Sequence, residues 1–131
     1  MIEHAFRLTT PQDLKAEISK YATDNNVSGI ILSGVGSLER AVLRMAGAKE
    51  IKSFNGPFEI VSLIGTLCPD GLHLHTSLSR EDGSCIGGHV QDGCIVHTTV
   101  ELVLGEMENF KFSRIEDPST GYKELQLKRK T

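Results

Sequence analysis

Several features that would narrow the function of this chain are missing from its sequence. It has no tryptophan, and its three cysteines, Cys68, Cys85 and Cys94, form no Cys-x-x-Cys pair. An odd number of separated cysteines predicts neither a disulfide framework nor a zinc ribbon, so we expect a reducing, cytoplasmic compartment. No apolar run approaches the roughly 18 residues that a membrane-spanning helix requires, and we therefore expect no contact with a membrane.

The chain also lacks an excess of positive charge. Its 14 lysines and arginines are outnumbered by 17 aspartates and glutamates, for a formal net charge of -3. Domains that bind nucleic acids are usually basic, so the composition argues against DNA as the main partner. A local groove built from Lys49, Lys52, Arg114 and the basic tail 128–130 would be the exception.

What is present is the composition of an ordinary globular domain. The chain has 131 residues, of which 39% are hydrophobic. This is the length of one domain, and it suffices to bury a core without disulfides. No internal repeat, low-complexity stretch or linker interrupts it, so we expect residues 1–131 to form a single domain.

The first half of the sequence predicts two helices and two strands. Apolar residues alternate over residues 2–8, which is typical of a strand. A helix is expected from its cap at Thr10 to the pair Asn25-Asn26, followed by a buried strand at residues 29–35. Ser37 then has the position of a cap for a second helix that ends near Met45.

The second half predicts mainly strands. Pro69-Asp70-Gly71 is a strong turn sequence, so the strands on either side of it should pair as a hairpin. The strands are expected at residues 58–67, 72–79, 93–104, 110–114 and 123–128. The order of elements favours an α+β fold, in which two main helices pack on a mixed, mostly antiparallel sheet.

The pair His73 and His75 is the sharpest local feature. Side chains alternate along a strand, so these two histidines share one face while Leu74 takes the other. A third histidine, His89, follows two glycines and a loop long enough to return to that strand. Three imidazoles leave one position of a zinc ion for water or substrate. The pattern is equally compatible with a solvated polar strand face, because His-x-His alone is a weak motif.

Other polar residues have ordinary explanations, which the residues alone favour. Glu59 and Glu101 each sit between apolar residues on a predicted strand, where they can support a histidine or act as a base, or simply occupy the polar face. His4 and His97 have no comparable companions, and we interpret them as surface or hydrogen-bonded core residues. The run 34–39 resembles the start of a dinucleotide fingerprint but lacks the third glycine, so we interpret it as a tight strand-to-helix turn.

The chain resembles the PPC (plants and prokaryotes conserved) domain family, as a stand-alone member. The resemblance rests on the segments 34–37, Gly56-Pro57-Phe58-Glu59-Ile60-Val61-Ser62-Leu63-Ile64-Gly65-Thr66, His73–Ser79 and Gly87-Gly88-His89 in this order, and it covers nearly the whole chain. It implies an α/β-type domain assembled as a homotrimer, with a metal, zinc, on His73, His75 and His89. Glu59 lies in the family's characteristic strand and becomes the candidate acid or base.

Three functions are compatible with these expectations. The first is a metal-binding homotrimeric module that serves association or regulation. The second is a zinc-dependent enzyme, a hydrolase or lyase, in which a zinc-bound water acts on a small polar substrate. The third is a DNA-binding regulator. Plant members of the family carry AT-hook segments that bind DNA, but this chain has no Arg-Gly-Arg-Pro core, so that activity is not carried over.

Overall fold

Eight strands and a single helix make up the computed structural model, which describes residues 1–131. The helix, α1, spans Leu14–Asp24. The strands are β1 (Ile2–Thr9), β2 (Gly29–Arg44), β3 (Ile51–Cys68), β4 (Gly71–Ser79), β5 (Cys85–Val90), β6 (Ile95–Glu106), β7 (Phe110–Glu116) and β8 (Lys123–Arg129). The helix has 11 residues, and no helix is long and apolar enough to cross a membrane.

The cap of α1 is Asp13 rather than the expected Thr10. The Asp13 carboxylate accepts a hydrogen bond from the backbone N–H of Ala16 at 3.0 Å, which satisfies one of the free donors of the first turn. Leu14, Ile18 and Ala22 recur at helical spacing and are fully buried. The helix ends at Asn25, near the predicted position, because the next residue turns into the left-handed region.

Six strands form one antiparallel sheet in the order β1-β6-β2-β3-β4-β5. The last strand, β5, also pairs with the end of β2, where Leu43 lies opposite Val90 and Arg44 opposite His89. Strands β2 to β5 therefore close into a ring. This closure brings the ends of β2, β4 and β5 together on one side of the molecule.

The prediction of an α+β fold with two main helices is wrong, because the fold is mainly β. The segment expected to be the second helix is the continuation of β2. The pairing register shifts between Leu38 and Arg40, and this bulge leaves Glu39 and Arg40 exposed between buried Leu38 and Ala41. Buried positions three residues apart are typical of a helix, so a β-bulge produced the misleading pattern.

The predicted hairpin across Pro69-Asp70-Gly71 is confirmed, with Thr66 opposite His73 and Cys68 opposite Gly71. Strand β5, in contrast, was expected to be part of a loop. A β-carbon at Gly87 would lie 2.7 Å from the Thr76 carbonyl oxygen, and one at Gly88 would lie 2.8 Å from that of Arg44. The two glycines therefore allow neighbouring strands to approach closely.

One core cluster of 21 buried residues joins α1 to the six-stranded sheet. Strands β7 and β8 form a separate two-stranded sheet, called here the C-terminal hairpin. The backbone N–H of Phe112 donates to Ser28 Oγ at 3.1 Å, and that of Arg114 donates to Asp70 Oδ2 at 3.2 Å. The first bond fixes the hairpin to the residue before β2, and the second fixes it to the turn between β3 and β4, close to His73.

Candidate metal centre

The pairing of β4 with β5 brings three histidines together. His75 lies directly opposite His89 in the ladder, and His73 lies two residues away on the same face of β4. The expected alternation is confirmed, since His73 and His75 are exposed whereas Leu74 and Thr76 are buried. His89 reaches the pair from the neighbouring strand, rather than over a loop as the sequence suggested.

The distances within this histidine cluster are close to those of a coordination shell. The Nε2 atoms of His73 and His75 are 3.1 Å apart, and the ligand nitrogens of the three residues all lie within 4.8 Å of one another. Tetrahedral zinc with Zn–N bonds of about 2.0–2.1 Å keeps its ligand nitrogens about 3.3 Å apart. The cluster can therefore hold a metal after small side-chain adjustments.

The electrostatics keep two of the histidines, His73 and His89, in the form that binds metals. Burial lowers the pKa of His89 to about 4, with the Arg44 guanidinium as the next cause. Arg44 Nη2 lies 3.4 Å from His89 Nδ1. Burial, and then the neighbouring His75, also lowers the pKa of His73. A metal binds the neutral imidazole, so both residues are ready for binding at neutral pH.

Three cavities adjoin the cluster, and two of them are large. The first, of about 510 Å³, lies between His75, His89 and the turn 45–48 that joins β2 to β3. The second, of about 480 Å³, lies between His73, His89 and the C-terminal hairpin. A metal on the three histidines would therefore have room beside it for a small molecule.

The candidate acids lie away from the cluster within one chain. Glu59 is exposed on β3 and pairs with Ser79, four residues along β4 from His75, or about 13 Å at 3.3 Å per residue. Glu101 is exposed on β6, opposite Val35. The acid–base role of Glu59 therefore remains a prediction, with no contact to the histidines in this chain.

The remaining candidates are accounted for without a metal. His97 is exposed, and His4 is hydrogen-bonded on both ring nitrogens, to Tyr21 and Glu106. The run 34–39 lies within β2 and forms no strand-to-helix turn.

Sequence reasoning missed Arg44 and the C-terminal hairpin as parts of the site. Arg44 fell in the segment expected to be a helix, and the hairpin residues carry no motif. Only the ladder between β2 and β5 brings Arg44 to His89, and such long-range pairing leaves no local signal in the sequence.

The Plants and Prokaryotes Conserved (PCC) domain matches residues 1–108 of the chain. This chain belongs to that family. The resemblance noted from the sequence is thereby confirmed, and the matched region contains the three histidines but ends before the C-terminal hairpin.

Two solved structures share this fold over nearly the whole of both chains. A hypothetical protein of Salmonella cholerae-suis (Salmonella enterica) is 37% identical, with a TM-score of 0.93 over 99% of this chain and 95% of that one. A metal-containing protein of Archaeoglobus fulgidus is 22% identical, with a TM-score of 0.77 over 96% and 94% of the two chains, and this likeness shows the fold alone.

A longer protein contains a related segment. The bifunctional protein GlmU of a Synechococcus species is 42% identical over 127 residues, which are 96% of this chain and 20% of that protein. The chain therefore spans about a fifth of the length of this curated relative.

Proposed function

We propose that this chain is a metal-binding module that associates with itself, and that His73, His75 and His89 hold a zinc ion. The observation that carries the proposal is the convergence of three imidazoles from two paired strands, with their ligand nitrogens within 4.8 Å. An all-imidazole set suits zinc and other transition metals rather than magnesium or calcium, which prefer oxygen. The metal-containing relative from Archaeoglobus, which has the same fold, lends further support.

The proposed self-association is the homotrimer that the family resemblance implies. Its support in this chain is an apolar strip on the outer side of the two longest strands. Val35, Val61 and Ile64 are 52%, 62% and 61% exposed, and clustered exposed apolar side chains are typical of contact surfaces. Ile64 pairs with His75, so a neighbouring chain on this strip would lie beside the histidines.

Metal analysis of protein purified without an affinity tag tests the proposal. We expect about one zinc per chain for a three-histidine site, lost in His73→Ala/His75→Ala and retained in His97→Ala, a matched control on an exposed histidine of β6. Wild type and double variant with equally little metal would contradict it.

Light scattering before and after chelation tests the self-association, which is expected to loosen without metal. A chelated protein of unchanged mass would show that the self-association does not depend on the metal.

A zinc-dependent hydrolase or lyase is the second candidate, because both large cavities open beside the histidines. Zinc would lower the pKa of a bound water toward neutrality, and His75→Ala should abolish turnover of a small polar substrate. The expected base, Glu59, does not reach the cluster in one chain, whereas Glu124 lines the second cavity. A metal sealed by four protein ligands would rule this candidate out.

DNA binding has weaker support than either. It would use Lys49, Lys52, Arg114 and the tail, yet the Arg114 guanidinium turns inward and donates to Thr66 Oγ1 at 2.9 Å and to the Lys123 carbonyl at 3.3 Å. Retention on duplex DNA that falls steeply with salt would be needed to revive it.

A further inference from the structure

The second cavity is cationic, with basic side chains from α1, β2 and the C-terminal hairpin. Four basic side chains and two acidic ones line it: Lys15, Arg44, Arg114 and Lys123, with Asp70 and Glu124. The chain as a whole carries a net charge of -3, so this local excess of positive charge is opposite in sign to that of the protein.

The basic groups of this cavity are not neutralised by neighbouring carboxylates. The ion pairs in the structure involve Met1, His4, Lys20 and Lys52 as the basic partners, and none of the four cavity residues. Arg44 instead lies over the ring of Tyr122 at 5.3 Å and close to His89. Arg114 uses both terminal nitrogens within the protein, but its buried Nε has no partner.

A metal at the histidines would increase this imbalance. Imidazole ligands are neutral, so a divalent ion adds two positive charges next to two guanidinium groups and two ammonium groups. Partly buried like charges repel one another strongly. An anion that binds the metal and faces the arginines would offset both the charge of the metal and the charge of the basic side chains.

We propose that the cavity between the histidines and the C-terminal hairpin binds a small organic anion through a carboxylate or phosphate group. The anionic group occupies the open position on the metal and accepts hydrogen bonds from Arg44, while Lys15 and Lys123 add long-range attraction. A cavity of about 480 Å³ is larger than an inorganic ion needs, so the ligand carries further atoms beyond its anionic group. The metal part of this inference rests on the proposed function, whereas the cationic cavity exists without a metal.

The hairpin lies outside the region matched by the family, which ends at residue 108. Because Arg114, Tyr122, Lys123 and Glu124 all belong to it or to its turn, the hairpin determines which anion fits. The histidines would thus hold the metal, and the hairpin would contribute ligand specificity.

Calorimetric titration with two probes, inorganic phosphate and malonate, tests the inference on zinc-loaded and on chelated protein. The variants are Arg44→Gln and Lys123→Gln, each with a matched control on the same strand, Arg40→Gln on β2 and Lys128→Gln on β8, which lie outside the cavity lining. Metal content is measured for every sample. We expect saturable binding that weakens about tenfold or more in Arg44→Gln, as for the loss of a charge-assisted hydrogen bond, and less than about twofold in either control.

The outcomes separate this inference from the proposed function. Zinc-loaded protein that binds neither probe, or that loses binding equally in Arg44→Gln and Arg40→Gln, overturns the anion site and leaves the metal site standing. Protein that takes up no zinc but binds a probe in an Arg44-dependent way overturns the metal site and keeps the anion site. Failure of both measurements overturns both. Tighter binding of phosphate than of malonate assigns a phosphate ester, and the reverse assigns a carboxylate.

Discussion

His4 and the histidine cluster occupy contrasting environments in the same sheet. Both ring nitrogens of His4 have partners within the chain, with the Tyr21 hydroxyl at 2.7 Å from Nδ1 and Glu106 Oε2 at 3.0 Å from Nε2. In the cluster the nitrogens of His73 and His75 face each other. A histidine whose nitrogens are satisfied contributes to structure, whereas histidines whose nitrogens converge on one point are arranged for a ligand.

The largest expected effect is the loss of metal affinity when a histidine of the cluster is replaced. His75→Ala removes the central ligand, and because loss of an outer partner alone costs 10–100-fold, we expect a loss of about 100-fold or more. Competition with a chromophoric chelator measures it. His4→Ala should leave the affinity unchanged, and an equal loss in both variants would contradict the distinction.

The second effect is on stability, and here the replacement of His4 is expected to have the consequence. His4→Ala leaves Tyr21 and Glu106 without their shared partner, so the free energy of unfolding should fall by about 1–3 kcal/mol. His97→Ala, on an exposed residue, should change it by less than about 0.5 kcal/mol. Urea unfolding in the presence of chelator provides the measurement, and similar values for the two variants would be evidence against a structural role for His4.

A third variant tests whether backbone proximity positions His89. In Gly88→Ala the new β-carbon would lie 2.8 Å from the Arg44 carbonyl oxygen and 3.2 Å from Leu43 Cβ, so β5 must move away from β2. We expect a loss of stability of about 1–3 kcal/mol together with weaker metal binding. Gly83→Ala, in the open turn before β5, controls for changes in the same hairpin, although its positive φ adds some strain of its own. Unchanged metal affinity in Gly88→Ala would show that His89 tolerates the shift.

The smallest expected effect is on how the stability of the metal-free protein depends on pH. The pKa of His89 is lowered to about 4 from an ordinary value of 6.5, so the unfolded chain takes up a proton before the folded chain does. Stability contributed by His89 is therefore fully present above pH 6.5 and declines as the pH falls toward 4. The decline should be smaller in His89→Gln than in wild type or His97→Gln, as measured by urea unfolding in chelator. If the free energy of unfolding of His89→Gln and of wild type had identical pH profiles, the pH dependence would not be due to His89.

Local patterns in the sequence were sufficient for part of this fold. The alternation around His73 and the turn at Pro69-Asp70-Gly71 depend only on neighbouring residues, and both predictions were confirmed. The second helix was wrong because the bulge near Leu38 changed the spacing of buried residues. Strand β5 was missed because Gly87 and Gly88 carry no side chains from which alternation can be recognised.

Local sequence patterns also predicted only part of the candidate site. The sequence indicated the three histidines, and the ladder between β4 and β5 brings them together. Arg44 and Arg114 reach the site through pairings and hydrogen bonds between residues distant in sequence, which no short motif records.

The pairing of β5 with both β4 and β2 also decides where this sheet can be extended by another polypeptide. Near His89 the strand has a hydrogen-bonded neighbour on either side, so an incoming strand finds no free backbone donors or acceptors there. The border strand with a single neighbour along its whole length is β1, which is separated from β4 by three intervening strands. A peptide that adds to the sheet at β1 would therefore leave the histidines accessible, and the chain could engage such a peptide and a metal at the same time.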